Sequence, residues 1–125
     1  MLTIVLAMLR QPVAQGLIIN LRKTSGVQVF YESDYTKAAD AAVVYSADIA
    51  FIEVAETGEY DADYCLDICC RLRGDAPGCR LMLLCPEMDE PSVSAAIEAQ
   101  RSGRVDDFLF YDASTDFLLS KLLDV

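Results

Sequence analysis

Five short apolar runs, each followed by a segment with helix punctuation, constrain this chain more than any other feature. Leu2-Thr3-Ile4-Val5-Leu6-Ala7 is mostly continuous and rich in β-branched residues, the pattern of a strand buried on both faces. Pro12 suits the first turn of a helix, Val13, Leu17 and Leu21 recur at i, i+4 and i+8, and Gly26 follows Arg22 and Lys23. Residues 11–24 therefore read as an amphipathic helix. Val27 to Tyr31 returns to strand character. Ser33 and Asp34 are cap residues ahead of an alanine-rich helical stretch, Ala38 to Ala47, and Asp48 to Val54 is a third strand.

The second half repeats the rhythm. Ala55 to Asp61 is polar with Gly58 inside it, and a helix follows over 62–73, with Cys65, Cys69 and Leu72 on one face and Gly74 at its end. Pro77 and Gly78 turn the chain into the buried strand Arg80 to Cys85. Asp89 and Pro91 start a fourth helix with Val93, Ala96 and Ile97 as its apolar stripe, and Gly103 ends it. Asp107 to Tyr111 is the fifth strand. The last helix begins near Thr115 and turns Leu118, Leu119 and Leu122 inward. Strict alternation of continuous apolar strands with helices predicts a doubly wound five-stranded parallel sheet, a three-layer sandwich with helices on both faces. In such sheets ligands and chemistry gather at the carboxyl ends of the strands, here Ala7 to Leu9, Glu53 to Glu56, Cys85 to Glu87 and Tyr111 to Ala113.

A chain of 125 residues with 54% apolar and 24% charged residues fits one domain, residues 1–125, around a single fold. Ten Lys and Arg against twenty Asp and Glu leave a formal charge of −10, which opposes contact with nucleic acid or anionic lipid. The longest mostly apolar run, Met1 to Leu9, is far short of the ~20 residues a membrane helix needs, and no basic segment precedes it as in a signal peptide. A cytoplasmic location is expected. Five cysteines, Cys65, Cys69, Cys70, Cys79 and Cys85, are an odd set without paired C-x-x-C spacing, and the chain has no His. Reduced, metal-free thiols are expected, with no cofactor, and the Ser-His and Cys-His nucleophile pairs are excluded.

The whole pattern resembles the receiver domain of two-component response regulators, a flavodoxin/CheY-like fold whose strand order is 2-1-3-4-5. Asp48 to Val54 resembles the third strand ending in the phosphoacceptor carboxylate, Asp67 to Arg73 the third helix, and Ala96 to Phe108 the fourth helix, its glycine and the Asp-Asp-Phe opening of the fifth strand. The resemblance implies that Glu53 stands at the phosphoacceptor. It places Ala7 and Met8, with Leu9 beyond, where receivers carry two acidic residues that help hold Mg²⁺. Cys85 takes the place of the Thr or Ser ending the fourth strand, Tyr111 that of the Lys ending the fifth, Asp112 that of the following Pro, and Phe108 that of the switch aromatic. Nearly every phosphorylation residue is thus replaced, so the resemblance implies a degenerate pseudo-receiver.

Phosphoryl transfer to a carboxylate needs a divalent cation and a fixed positive charge, and neither is encoded at the matching positions. Glu53, one methylene longer than Asp, is either a crude imitation of an acyl phosphate or a remnant carboxylate held by loop amides. Tyr111 either hydrogen-bonds Glu53 or caps the sheet with its hydroxyl in water. Cys85 is a small core residue or, beside Glu53, a sensor thiol whose pKa that carboxylate raises. The expected function is a non-enzymatic signalling module that works by protein–protein contact, with a signalling partner or a second copy. The contact face implied by the resemblance spans residues 92–123, with Ser94, Glu98, Arg101, Arg104, Asp106 and Lys121 as its exposed candidates. The alternatives are a receiver sensing through unconventional phosphorylation or thiol chemistry, and a small flavodoxin-like nucleotide-binding enzyme, the latter opposed by the lack of a Gly-rich loop after the first strand.

Overall fold

The computed structural model describes residues 1–123 and alternates five strands with five helices. The strands are β1 (Leu2–Ala7), β2 (Val27–Glu32), β3 (Ile49–Glu53), β4 (Arg80–Cys85) and β5 (Asp107–Phe110). The helices are α1 (Gln11–Lys23), α2 (Tyr35–Val44), α3 (Ala62–Asp75), α4 (Glu90–Arg101) and α5 (Thr115–Leu123). All pairings are parallel and the order is β2-β1-β3-β4-β5, as expected. Register places Ala7 beside Ile52, Glu53 beside Leu84 and Cys85 beside Phe110, so the ends of the three inner strands and of β5 converge on one edge.

The pleat divides the core into two layers. Ile4, Leu6, Phe51 and Leu84 pack with Leu17 and Leu21 of α1 and Leu118 and Leu122 of α5. Val5, Ile52 and Leu83 pack with Ala38 and Ala42 of α2, Cys69 and Leu72 of α3, and Ala96 of α4. Ile4, Val5, Leu6, Ile49, Phe51, Leu81, Leu83, Leu84 and Leu109 are all buried, as their continuous runs predict.

Three local expectations are corrected. Helix α2 starts and ends three residues earlier than its alanines suggest, because the Asp34 carboxylate accepts from the Thr36 and Lys37 amides, and Ser46 at φ 49 follows its end. Gly74 does not end α3; the helix runs through it to Asp75 and closes at Ala76. On α4 the buried stripe is Ser92, Ala96 and Ala99, and Ile97 is exposed. The small residues seat that face on the sheet, and the Ser92 hydroxyl is satisfied by donating to the Asp89 carboxylate.

Candidate functional site at the strand ends

Glu53 ends β3 with 1% of its surface exposed, yet it carries a carboxylate. Its Oε1 accepts from the backbone N–H of Leu9 at 2.7 Å and of Arg10 at 3.0 Å, and its Oε2 receives Arg10 Nε–H at 2.5 Å. Helix α1 explains the two amide bonds. Its N-cap is Arg10, which has no capping oxygen, and no acidic residue lies in its first turn. The Glu53 carboxylate supplies from β3 the negative charge that the positive end of α1 lacks. An Asp at this position would be one methylene short of that span.

Arg10 was not among the residues the sequence singled out, and it is the cation of the site. Its side chain is 34% exposed. The guanidinium carbon lies 3.6 Å from the centroid of the Tyr111 ring, between that ring and Glu53. The buried Nη2 has no hydrogen-bond partner among the described residues. The trace it leaves in the sequence is a basic residue two positions before the helix proline, in the loop after β1, which by itself does not place it on Glu53.

Tyr111 does neither of the two things its position suggested. Its hydroxyl donates to the Val54 carbonyl, while its ring face takes Arg10. Burial first, then the negative charge of Glu53, pushes its pKa up. Two further residues that sequence reasoning missed, Tyr35 and Tyr60, complete the frame together with Cys65. The Tyr35 hydroxyl, fully buried, donates to the Glu53 carbonyl at 2.5 Å, and the Cys65 thiol approaches the same oxygen at 3.8 Å. Tyr60 stacks on Tyr35 with centroids 3.9 Å apart, and the Tyr60 carbonyl accepts from the Ala55 amide, folding the β3–α3 loop back over the site. On the other side Gln11 donates to the Tyr31 hydroxyl, which donates to the Met8 carbonyl.

The remaining positions carried over from the resemblance separate. Ala7 and Cys85 face the α2–α3–α4 layer, whereas Met8 is buried in the α1–α5 layer. Cys85 is buried, and that burial alone raises its thiol to about 12, so the expected influence of Glu53 on it is not the cause. Phe108 is half-buried and meets Phe110 edge to face. The Mg²⁺ that receivers use does not fit: both Glu53 oxygens are engaged, Ala7 and Met8 offer no side-chain oxygen, and no group of three His, Cys, Asp or Glu among the described residues is arranged to hold a metal. The acidic residues Glu56, Glu59, Asp61 and Asp63 are exposed, and Asp61 is the N-cap of α3.

Of the residues expected to form a contact face, Ser94, Glu98, Arg101 and Arg104 are exposed. Asp106 is also exposed but is held in place: it accepts from the Leu81 amide at 2.8 Å and pairs with Arg73 at 3.1 Å. Lys121 is half-buried over Phe117 with Asp107 4.0 Å away.

No protein-family model and no curated protein matches the chain. Solved structures do. A LuxR-family response regulator from Staphylococcus aureus superposes with a TM-score of 0.76 at 10% identity, over 99% of this chain and 97% of that one. The fold is that of a receiver domain. The signal receiver domain of NarL from Mycobacterium tuberculosis gives 0.75 at 18% identity, over 98% of this chain and 94% of the other. A streptococcal protein described as a redox sensor evolved from response regulators gives 0.78 at 19% identity, with 98% of this chain covering 49% of that one. Among the described residues, no helix is long and apolar enough to cross a membrane.

Proposed function

We propose that the chain is a pseudo-receiver, a signal-transduction module of the two-component or phosphorelay kind that acts by protein–protein contact and not by Mg²⁺-dependent phosphorylation. The observation that carries this reading is the full engagement of Glu53. A carboxylate attacking a phosphoryl donor needs a free oxygen and a cation to gather the phosphoryl oxygens, whereas here two amides and a guanidinium occupy both oxygens. The module works in the cytoplasm with a signalling protein or a second copy as partner, through the surface of α4, β5 and α5, and turns over no substrate. Burial opposes thiol sensing at Cys85, and equally at Cys65, Cys69 and Cys79, whose thiols it raises, and leaves Cys70 on α3 as the exposed cysteine.

The test is incubation with Mg²⁺ and acetyl phosphate followed by intact-mass spectrometry. The expected spectrum shows no added phosphoryl group, and self-association is the same with and without donor. A phosphoryl adduct mapped to Glu53 overturns the reading.

A further inference from the structure

Glu53 poses an electrostatic question that the backbone amides do not answer. A carboxylate 1% exposed is costly to bury without strong partners, a neighbouring cation among them, and no group of three His, Cys, Asp or Glu among the described residues is arranged to hold a metal there. What they provide is Arg10. Its Nε–H meets Oε2 at 2.5 Å, its guanidinium carbon sits 3.6 Å from the Tyr111 ring centroid, and its Nη2 is buried with no hydrogen-bond partner among the described residues. That orphaned nitrogen is the informative feature. A guanidinium placed for its hydrogen bonds would not bury an unmet N–H, whereas a carboxylate on one side and a π face on the other both answer to its charge. We propose that Arg10 is the resident cation of this site, a side chain filling the place of a dissociable ion, and that the loop from Met8 to Arg10 is a strap tying the ends of β1, β3 and β5 into one arrangement.

The inference rests on reading Glu53 as an acceptor-site position, yet its test involves no partner, so its failure is distinguishable from failure of the binding-module reading. Arg10→Ala removes the cation and leaves its place. Adding ~20 mM methylguanidinium is expected to raise the thermal midpoint of that variant by about 2–4 °C. The same addition is expected to leave the natural protein and the double variant Arg10→Ala with Glu53→Gln without such a rise. Mg²⁺ at equal concentration is expected to have no effect on Arg10→Ala, since a planar organic cation, not a metal, matches the site. No rise with methylguanidinium, an equal rise in the double variant, or stabilisation by Mg²⁺ overturns the proposal. Where Arg10→Ala does not fold even with methylguanidinium, nuclear magnetic resonance of the natural protein decides. An Arg10 Nε–H that exchanges with water far more slowly than that of exposed Arg101 supports the resident cation, and equal exchange overturns it.

Discussion

At the scale of single residues, Glu53 shows how a carboxylate becomes structural. Glu53 accepts three hydrogen bonds, two from amides and one charge-assisted, and sits where water does not reach. Glu53→Gln keeps the shape and one acceptor but turns an amide N–H₂ toward donors that have nowhere else to go. The loss is expected to be about 2–3 kcal/mol, from one charge-assisted bond and one buried donor left unmet, reduced because Arg10 is a third exposed. Urea unfolding of the two proteins measures it, and a difference below ~0.5 kcal/mol would show that the carboxylate is dispensable. The position of Glu53 was legible in the sequence because a strand pattern ends there. Its partner was not. Arg10 comes from a loop, and which loop side chain folds onto a strand end depends on the β1–β3 register and on the turn into α1, neither of which periodicity encodes. Tyr35 and Tyr60 were hidden for the same reason: their stack joins the start of α2 to a loop 25 residues away.

Elements were more legible than contacts, since a buried strand must be apolar along its length and a helix must carry a stripe. β4 begins and ends where its sequence predicts, and Asp34 and Asp89 mark helix starts, with Asp61 an N-cap that the polar loop before α3 concealed. Sequence rules went astray where small residues carry the packing. Gly74 resembles a helix stop but its helix passes through it, and Ile97 resembles a core residue but the alanines beside it lie closer to the sheet. Helix α3 gives a prediction of its own. Cys65 and Cys69 lie on its inner face and Cys70 on its outer one, with Cys79 and Cys85 buried beyond. A thiol reagent at pH 8 is therefore expected to modify Cys70 promptly and the other four at the rate of unfolding. Burial also sets the pH response. It raises Cys79 to about 11 and Cys69 and Cys85 to about 12, from an ordinary value near 9.0. A folded-state pKa above the unfolded one favours the folded state fully below the unfolded value. That advantage is lost as pH rises toward the folded value, so the urea midpoint is expected to be level up to about pH 8 and to fall between 9 and 12. Replacing Cys79 and Cys85 by Ala would flatten part of that fall; an unchanged slope would assign it to other groups.

Across the whole molecule the charge of −10 is not evenly spread. The loops at the carboxyl ends of the strands and the helix turns that follow them carry Glu32, Asp34, Glu53, Glu56, Glu59, Asp61, Asp63, Glu87, Asp89, Glu90, Asp112 and Asp116, against Arg10 and Lys37. All five helices point their amino ends at this edge, so part of the acidity serves caps and dipoles. Most of the arginines lie elsewhere, and Arg101 and Arg104 belong to the face of α4 and β5. With Asp106 held by Leu81 and Arg73, and Lys121 over Phe117, the charged candidates on α4 and the turn after it that remain exposed are Glu98, Arg101 and Arg104, beside the exposed apolar groups of Ile97 and Phe110. A two-fold contact there would set Glu98 of one copy toward the arginines of the other. Exposed charges tune association far more than folding, so Arg101→Glu with Arg104→Glu is expected to weaken self-association at least tenfold while shifting the thermal midpoint by no more than ~2 °C. Sedimentation equilibrium and thermal unfolding read the two quantities separately. Glu53→Gln divides the remaining alternatives. Association unchanged in that variant makes the carboxylate an internal cap and counter-ion, and association lost in it, with the fold intact, makes it an imitation of the phosphorylated state. If neither the arginine reversal nor Glu53→Gln alters association, the contact face is not on α4, β5 and α5, and the reading of the chain as a binding module through that surface falls.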